Sequence, residues 1–144
     1  MSDTEDDLRQ TRQRNVAVVR RLYELEMAKD LDSWARLWAR GVVVMFPLAV
    51  DTEATRVEGL TTWVDVTRQK FVDRAHIKVD ARVEALADPH RVLAHLDVHL
   101  EFSAGGSLNA PLLVLFTFDD DGLIERMDEY VNEAGIAAGP APQT

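Results

Sequence analysis

The sequence HIKVDARVEALADPHRVLAHLDVHLEF, residues 76–102, carries the clearest structural signal in the chain. Apolar and polar residues alternate through residues 77–84 and again through residues 94–102, which is the period of two of a β-strand with one buried face. Residues 88–90, Asp-Pro-His, are typical of a turn. This stretch therefore predicts two long antiparallel strands whose apolar faces point the same way.

Two further strands are predicted after this pair. The glycine pair at 105–106 turns the chain, and residues 112–118 are apolar on both faces, as in a strand at the centre of a sheet or at an interface. Residues 119–122, Asp-Asp-Asp-Gly, indicate a hairpin turn, and a last strand is predicted from about residue 123 to residue 131. The four strands together form a meander.

Two helices are predicted at the start of the chain. Apolar residues recur at helical spacing from Asn15 onward, and residues 30–33, Asp-Leu-Asp-Ser, break this helix and begin another. The second helix is expected to carry Trp34 and Trp38 and to end at Gly41, because glycine tolerates a positive φ.

A strand and a third helix are predicted before the meander. Residues 42–46 are continuously apolar and rich in valine, which predicts a buried strand that Pro47 stops. Residues 49–58 are interpreted as a polar loop or a short strand. Gly59 is expected to begin a helix that presents Trp63, Lys70 and neighbouring apolar residues on or near one face.

This element order predicts an α+β fold, in which three N-terminal helices pack on one face of a strongly curved antiparallel sheet. The chain of 144 residues is long enough for one domain, predicted over residues 15–134. Residues 1–14 are charged and are expected to be frayed. Residues 135–144 are rich in Ala, Gly and Pro and are expected to form a flexible tail.

Composition excludes several classes of function. The formal net charge of −9 disfavours nucleic acid and anionic lipid as partners. The chain has no cysteine, which excludes disulfides and thiol chemistry and suits a cytoplasmic location. The first residues are acidic rather than typical of a signal peptide, and no apolar run has the ~20 residues of a membrane-spanning helix.

The sequence resembles the nuclear transport factor 2-like superfamily, and within it the SnoaL-like polyketide cyclases and isomerases. The resemblance covers about residues 15–135 and is carried by Ala-Val-Val-Arg-Arg at 17–21, Lys-Asp-Leu-Asp at 29–32 and the closing segment at 121–132. The phenazine-biosynthesis A/B proteins are also similar. The resemblance implies a cone-like α+β barrel with a ligand pocket, but this fold hosts many chemistries.

Among the acidic site residues of these related families, one has a matching acid in this sequence. The three polar positions of ketosteroid isomerases match Leu22, Phe46 and Val114, which argues against steroid isomerisation. An acid on the last strand of SnoaL-like cyclases, and the glutamate of the phenazine proteins, both match Glu129. The polar penultimate-strand residues of the cyclases correspond to Leu113 and Leu115, so that half of the site is apolar here.

Glu129 is the candidate catalytic residue. By strand alternation it shares a face with Met127 and Val131, and a carboxylate on an apolar face suits a general acid or base. In the alternative interpretation, a bulge turns it outward or it pairs with Arg126. The residues expected to bind the substrate are bulky or apolar: Tyr23, Trp38, Phe46, Trp63, Leu113, Leu115 and Met127.

No metal and no cofactor are expected. His95, Asp97 and His99 share one strand face, but residues two apart on a strand are separated by roughly 7 Å and those four apart by about 13 Å, so one ion cannot bind all three. A two-ligand site would be incomplete, so the pattern is interpreted as a polar outer face or a dimer interface.

The expected function is that of a small cyclase or isomerase of a polyketide-type pathway. It would fold an apolar intermediate in a hydrophobic pocket for ring closure, with Glu129 as acid and base or by shape alone, as in a pericyclic reaction. The alternative is a non-catalytic module for ligand binding or dimerisation. A homodimer is expected through the sheet face that carries residues 112–118, because a monomer would leave these apolar residues exposed.

Overall fold

The computed structural model describes residues 2–48 and 56–131. Its three helices and six strands are, in chain order, α1 (Ser2–Ala28), α2 (Leu31–Ala35), β1 (Trp38–Met45), β2 (Arg56–Glu58), α3 (Leu60–Asp73), β3 (Arg74–Ala85), β4 (Arg91–Phe102), β5 (Ser107–Phe118) and β6 (Ile124–Val131). The tail expected at residues 135–144 lies outside the described residues.

The six strands form one curved, unclosed sheet in the order β2-β1-β6-β5-β4-β3. The predicted meander is confirmed, because β3 to β6 pair with their sequence neighbours in antiparallel fashion. β5 lies between β4 and β6, as its two apolar faces indicated. One pairing differs from the expectation of a purely antiparallel sheet, since β1 runs parallel to β6.

The helices cover the inner face of this sheet. The sulfur of Met27 accepts a hydrogen bond from the backbone N–H of Val79 at 3.3 Å, which joins the end of α1 to β3. Lys29 then takes a φ of 56°, and the side chain of Asp30 caps α2 by accepting the Ser33 N–H at 3.2 Å. The predicted break between the two helices is therefore confirmed. Within the described residues, no helix combines the length and apolarity needed to cross a bilayer.

Two predicted helix boundaries are wrong. α2 ends at Ala35, and Trp38 begins β1 rather than continuing the helix, because it pairs with Ile124 of β6. Gly41 therefore lies inside β1 and ends no helix. Helical spacing placed the two tryptophans on one face, but strand pairing with the distant β6 determines the backbone after Arg36.

The first helix begins earlier than expected, at Ser2, in the segment predicted to be frayed. Arg12 anchors this part of α1 to the turn after β3, donating hydrogen bonds to the carbonyl of Leu86 at 3.2 Å and to that of Ala87 at 2.7 Å. These contacts with a remote turn stabilise helical turns that carry few apolar residues.

The core is centred on three tryptophans. Trp34, Trp38 and Trp63 are almost completely buried, and their ring centroids lie 5.1 to 5.7 Å apart, within the range of favourable aromatic contacts. Phe116 of β5 extends the cluster, with its centroid 6.5 Å from that of Trp38. Helices α2 and α3 and strand β1 are thereby joined to the sheet.

We expect Asn15→Ala to lower the free energy of unfolding by about 1–3 kcal/mol, because Asn15 is fully buried and donates a hydrogen bond to the carbonyl of Pro89 at 3.0 Å. Helix propensity alone would favour alanine. Urea unfolding measures the effect, with Gln13→Ala, an exposed position on the same helix, as the control. Equal stability of the two variants would show that this contact contributes nothing.

Candidate active site

A cavity of about 230 Å³ lies between the helices and the inner face of the sheet. Its walls come from α1, α3 and strands β1 and β3 to β6, and most of the side chains that line it are aliphatic or aromatic. Enclosed apolar cavities with a few polar groups are the usual form of small-molecule sites. The cavity is therefore the candidate active site.

Glu129 lines this cavity together with Met127 and Val131. It pairs in regular register with Val114 of β5, so the interpretation in which a bulge turns Glu129 outward is wrong. The other alternative, a pair with Arg126, is also wrong. Arg126 instead donates two hydrogen bonds of 2.9 Å to Asp128, its neighbour at the next-but-one position.

Four of the seven predicted substrate-binding residues meet at the cavity, namely Tyr23, Trp38, Trp63 and Met127. The positions of the other three differ from the prediction. Leu113 and Leu115 lie on the opposite face of the sheet, because they alternate along β5 with Leu112, which lines the cavity. Phe46 follows the end of β1 and packs against the core without lining the cavity.

Three charged residues of the cavity were not identified from the sequence as site residues. Glu26 lies one turn after Tyr23 on α1, Lys70 lies two turns after Trp63 on α3, and Arg74 begins β3. The ammonium group of Lys70 is 4.7 Å from the ring centroid of Trp63, a cation–π distance. The lysine in an otherwise apolar helical stripe was the available signal for this site.

The cavity shifts the ionisation of Glu26. Burial among apolar side chains raises its pKa to about 7, and the negative charge of Glu129 acts in the same direction. Lys70 and Arg74 lower this pKa in part, as does the indole N–H of Trp34, although no hydrogen bond of good geometry joins Trp34 to the carboxyl. The pKa of Glu26 therefore lies near neutral pH.

The other polar groups of the cavity respond to the same surroundings. Burial lowers the pKa of Lys70, while Glu129 raises it in part. Burial also raises the pKa of the Tyr23 hydroxyl well above its ordinary value, with Glu26 and Glu129 adding to the effect. Tyr23 thus stays protonated and able to donate a hydrogen bond.

The described residues contain no group of three or more His, Asp or Glu side chains placed to hold a metal ion. His95, Asp97 and His99 follow one another on the outer face of β4, away from the cavity. There His99 forms a 2.7 Å hydrogen bond with the side chain of Asn109 on β5. The arrangement is that of a polar outer surface.

A family model described as the SnoaL-like domain matches residues 19–127 of the sequence. The chain belongs to this family. The matched region contains α2, α3, β1 to β5 and part of α1 and β6, and hence most of the cavity walls. No curated protein sequence matches the chain significantly.

Solved structures share this fold at low sequence identity. One, assigned as a polyketide cyclase from Xanthomonas campestris pv. campestris, has 23% identity and a TM-score of 0.78, covering 91% of this chain and 99% of that chain. A Δ5-3-ketosteroid isomerase from Mycobacterium sp. has 18% identity and a TM-score of 0.74, covering 85% and 95%. SalBIII, an epoxide hydrolase/cyclase-like enzyme of pyran ring formation in salinomycin, has 13% identity and a TM-score of 0.73, covering 85% and 94%.

Protein stability should fall as the pH rises from about 5 to 7.5, because Glu26 keeps its proton up to a pKa of about 7 in the folded chain and loses it near 4.3 when unfolded. The folded state binds more protons within that window. Each pH unit should lower the free energy of unfolding by at most about 1.4 kcal/mol, the limit for one proton. Glu26→Gln should abolish this dependence and be more stable than the parent above pH 7.

Urea unfolding between about pH 5 and 8 tests this expectation. Glu24→Gln is the matched control, because Glu24 lies on the same helix with an exposed side chain. A parent protein and a Glu26→Gln variant with parallel stability profiles would contradict the proposed protonation of Glu26.

Proposed function

We propose that this protein is a cofactor-independent cyclase or isomerase that folds a largely apolar, polyketide-type intermediate for ring closure. The observation that carries the proposal is the position of Glu129, a carboxylate in the wall of an apolar cavity. Membership of the SnoaL-like family and the fold shared with an assigned polyketide cyclase and with SalBIII support this chemistry. A natural-product pathway is the corresponding biological setting.

An intramolecular aldol addition illustrates what the cavity can do. The Glu129 carboxylate takes a proton from the carbon between two carbonyls, and the electron pair of the broken C–H bond forms the enolate. The enolate carbon then bonds to a carbonyl carbon further along the chain, and the new alkoxide oxygen receives the proton from Glu129. Product and substrate have the same atoms, so the reaction is an isomerisation. A positioned acid–base group contributes about 10²–10⁴-fold to such steps.

The hydroxyl of Tyr23 is suited to the developing oxyanion, because it remains protonated and lines the same cavity. The apolar wall contributes separately by restricting the substrate to folded conformations in which the reacting carbons approach each other. In a pericyclic ring closure this restriction would suffice, and Glu129 would then have no chemical role.

Glu129→Gln distinguishes the two mechanisms. With a synthetic linear triketone as the probe and ring closure followed by NMR, we expect the rate to fall about 10²–10⁴-fold, because the amide keeps the volume of the side chain but cannot accept the proton. Glu125→Gln, at an exposed position of the same strand, should be silent. Unchanged ring closure by folded Glu129→Gln protein would exclude Glu129 as the acid–base group.

Leu112→Ala tests the contribution of shape, since Leu112 lines the cavity and Leu113 lies on the opposite face of the same strand. The larger cavity should slow cyclisation and broaden the product distribution, whereas Leu113→Ala should change neither. Both truncations remove similar volume, so thermal unfolding of each variant shows whether loss of rate reflects loss of fold.

A binding or dimerisation module is the second candidate, and the outer face of β5 favours an interface. Leu113 and Leu115 are only half-buried there, and Leu93 of β4 lies directly opposite Leu115. We expect a homodimer through this face, because it exposes apolar surface that the helices do not cover. Sedimentation velocity at micromolar concentration measures it, and Leu113→Glu should shift the protein to monomer. A monomeric parent would contradict this expectation.

A further inference from the structure

Four charged side chains from four different elements line the cavity. They are Glu26 of α1, Lys70 of α3, Arg74 at the start of β3 and Glu129 of β6. Sequence positions as distant as 26 and 129 are thus brought to one apolar site. Burying charges in apolar surroundings costs free energy unless the charges pair with each other or with a ligand.

These charges do not neutralise each other through direct contacts. Although ion pairs occur elsewhere in the described part of the chain, none joins any two of these four residues within 4.0 Å. The two cations instead act on Glu26 at longer range. Lys70 and Arg74 both lower its pKa, against the effect of burial. Their hydrogen-bonding capacity toward a ligand is therefore still available.

The charge of the cluster depends on Glu26. With a protonated Glu26 carboxyl, the formal charges of the other three residues, Lys70, Arg74 and Glu129, sum to an excess of one positive charge. The chain as a whole has a net charge of −9, so the local excess in the cavity has the opposite sign to the net charge of the molecule. An excess of one positive charge in a partly desolvated site matches a ligand with one negative charge.

We propose that the cavity binds a monoanionic amphiphile whose ionised oxygen, a carboxylate or an acidic enolate, is held by Lys70 and Arg74 while its apolar body lies along the inner face of β4 and β5. The proposal rests on the proposed function, because it names the substrate class of the same cavity. Inner-face residues such as Val98, Leu100 and Leu112 supply the apolar surface.

The position of Lys70 supports a ligand-binding role. Its ammonium group lies over the ring of Trp63, which holds the charge at the cavity wall, and the same group is 5.8 Å from the centroid of Phe46. Arg74 follows on β3, one helical turn beyond Lys70 at the end of α3. A lysine that only covered aromatic surface would need no second cation beside it.

Decanoate and decanol are suitable probes, because they share an apolar chain and differ in the charge of the head group. Their binding can be followed through the fluorescence of Trp38 and Trp63, which line the cavity. At about pH 6 we expect decanoate to bind at least about tenfold more tightly than decanol. Lys70→Met and Arg74→Met should each abolish most of this preference and leave decanol binding nearly unchanged, because methionine keeps the apolar stem.

Lys78→Met is the matched control, since Lys78 is exposed on β3 outside the cavity. It should leave the affinities for both probes unchanged. Circular dichroism and decanol binding establish that each variant is folded. A variant that loses only decanoate binding then shows that the substituted cation binds the head group.

A pH series tests the role of Glu26. Its carboxyl is faced by Tyr23 of its own helix, Trp34 of α2, Lys70, Arg74 and Glu129. Between about pH 6 and 8.5 decanoate stays ionised, whereas Glu26 loses its proton and then repels the ligand, so the parent's affinity should fall. In Glu26→Gln the fall should be much smaller, because the neutral amide resembles the protonated acid.

The proposal is overturned if decanol binds as tightly as decanoate, or if Lys70→Met and Arg74→Met leave the preference intact. It is also overturned if neither probe binds to the folded parent. These outcomes are independent of catalysis. Unchanged ring closure in Glu129→Gln with an intact preference for decanoate would refute only the catalytic role of Glu129. Slower ring closure in Glu129→Gln without that preference in the parent would refute only the anion site.

Discussion

The mutual packing of Trp34, Trp38 and Trp63 is the interaction on which the site depends. It binds α2, β1 and α3 to one another, with ring centroids no more than 5.7 Å apart. Because α3 is held by Trp63, the next two turns of that helix face the cavity and carry Lys70 to its wall. Aromatic packing at one end of the helix thus positions a charged group at the other. The same contacts close the cavity on the side of the helices, so loss of a tryptophan would affect the fold and the site together.

The charged residues of the cavity oppose stability. An apolar wall favours the neutral form of each group, which is why burial raises the pKa of Glu26 and lowers that of Lys70. A direct ion pair between each carboxylate and a cation would reduce the free-energy cost of burying these charges. It would also leave the four side chains unable to bind a ligand. The structure instead keeps two acids and two bases around a shared space, an arrangement typical of functional sites. For this reason the pKa of Glu26 lies near 7, and proton binding to Glu26 changes the net charge of the cavity.

The meander of β3 to β6 was predictable from local pattern, whereas the helix and strand boundaries near the tryptophans were not. Alternation in residues 77–84 and 94–102 has one simple explanation, a strand with one buried face, and β3 and β4 follow it closely. Trp38 and Gly41 were misassigned because helical spacing over a few residues cannot show that β6, more than 80 residues later, will pair with this segment. Leu113 and Leu115 were misplaced because a strand with two apolar faces does not reveal which face is inside. Alternation placed Glu129 on one face with Met127 and Val131 but left an outward bulge open, and the regular register of β6 with β5 decided between the two.

The sequence by itself determined the α+β class, the meander and the break between the first two helices, because each depends on residues that are close together in the chain. Only the tertiary structure decided that β1 lies parallel to β6 and that Glu26, Lys70 and Arg74 meet Glu129 in one cavity. Each of the three has an ordinary local role on its own helix or strand, and no spacing rule links positions 26, 70, 74 and 129. The shifted pKa values of Glu26, Lys70 and Arg74 arise from burial and from nearby charges, which only the folded chain provides.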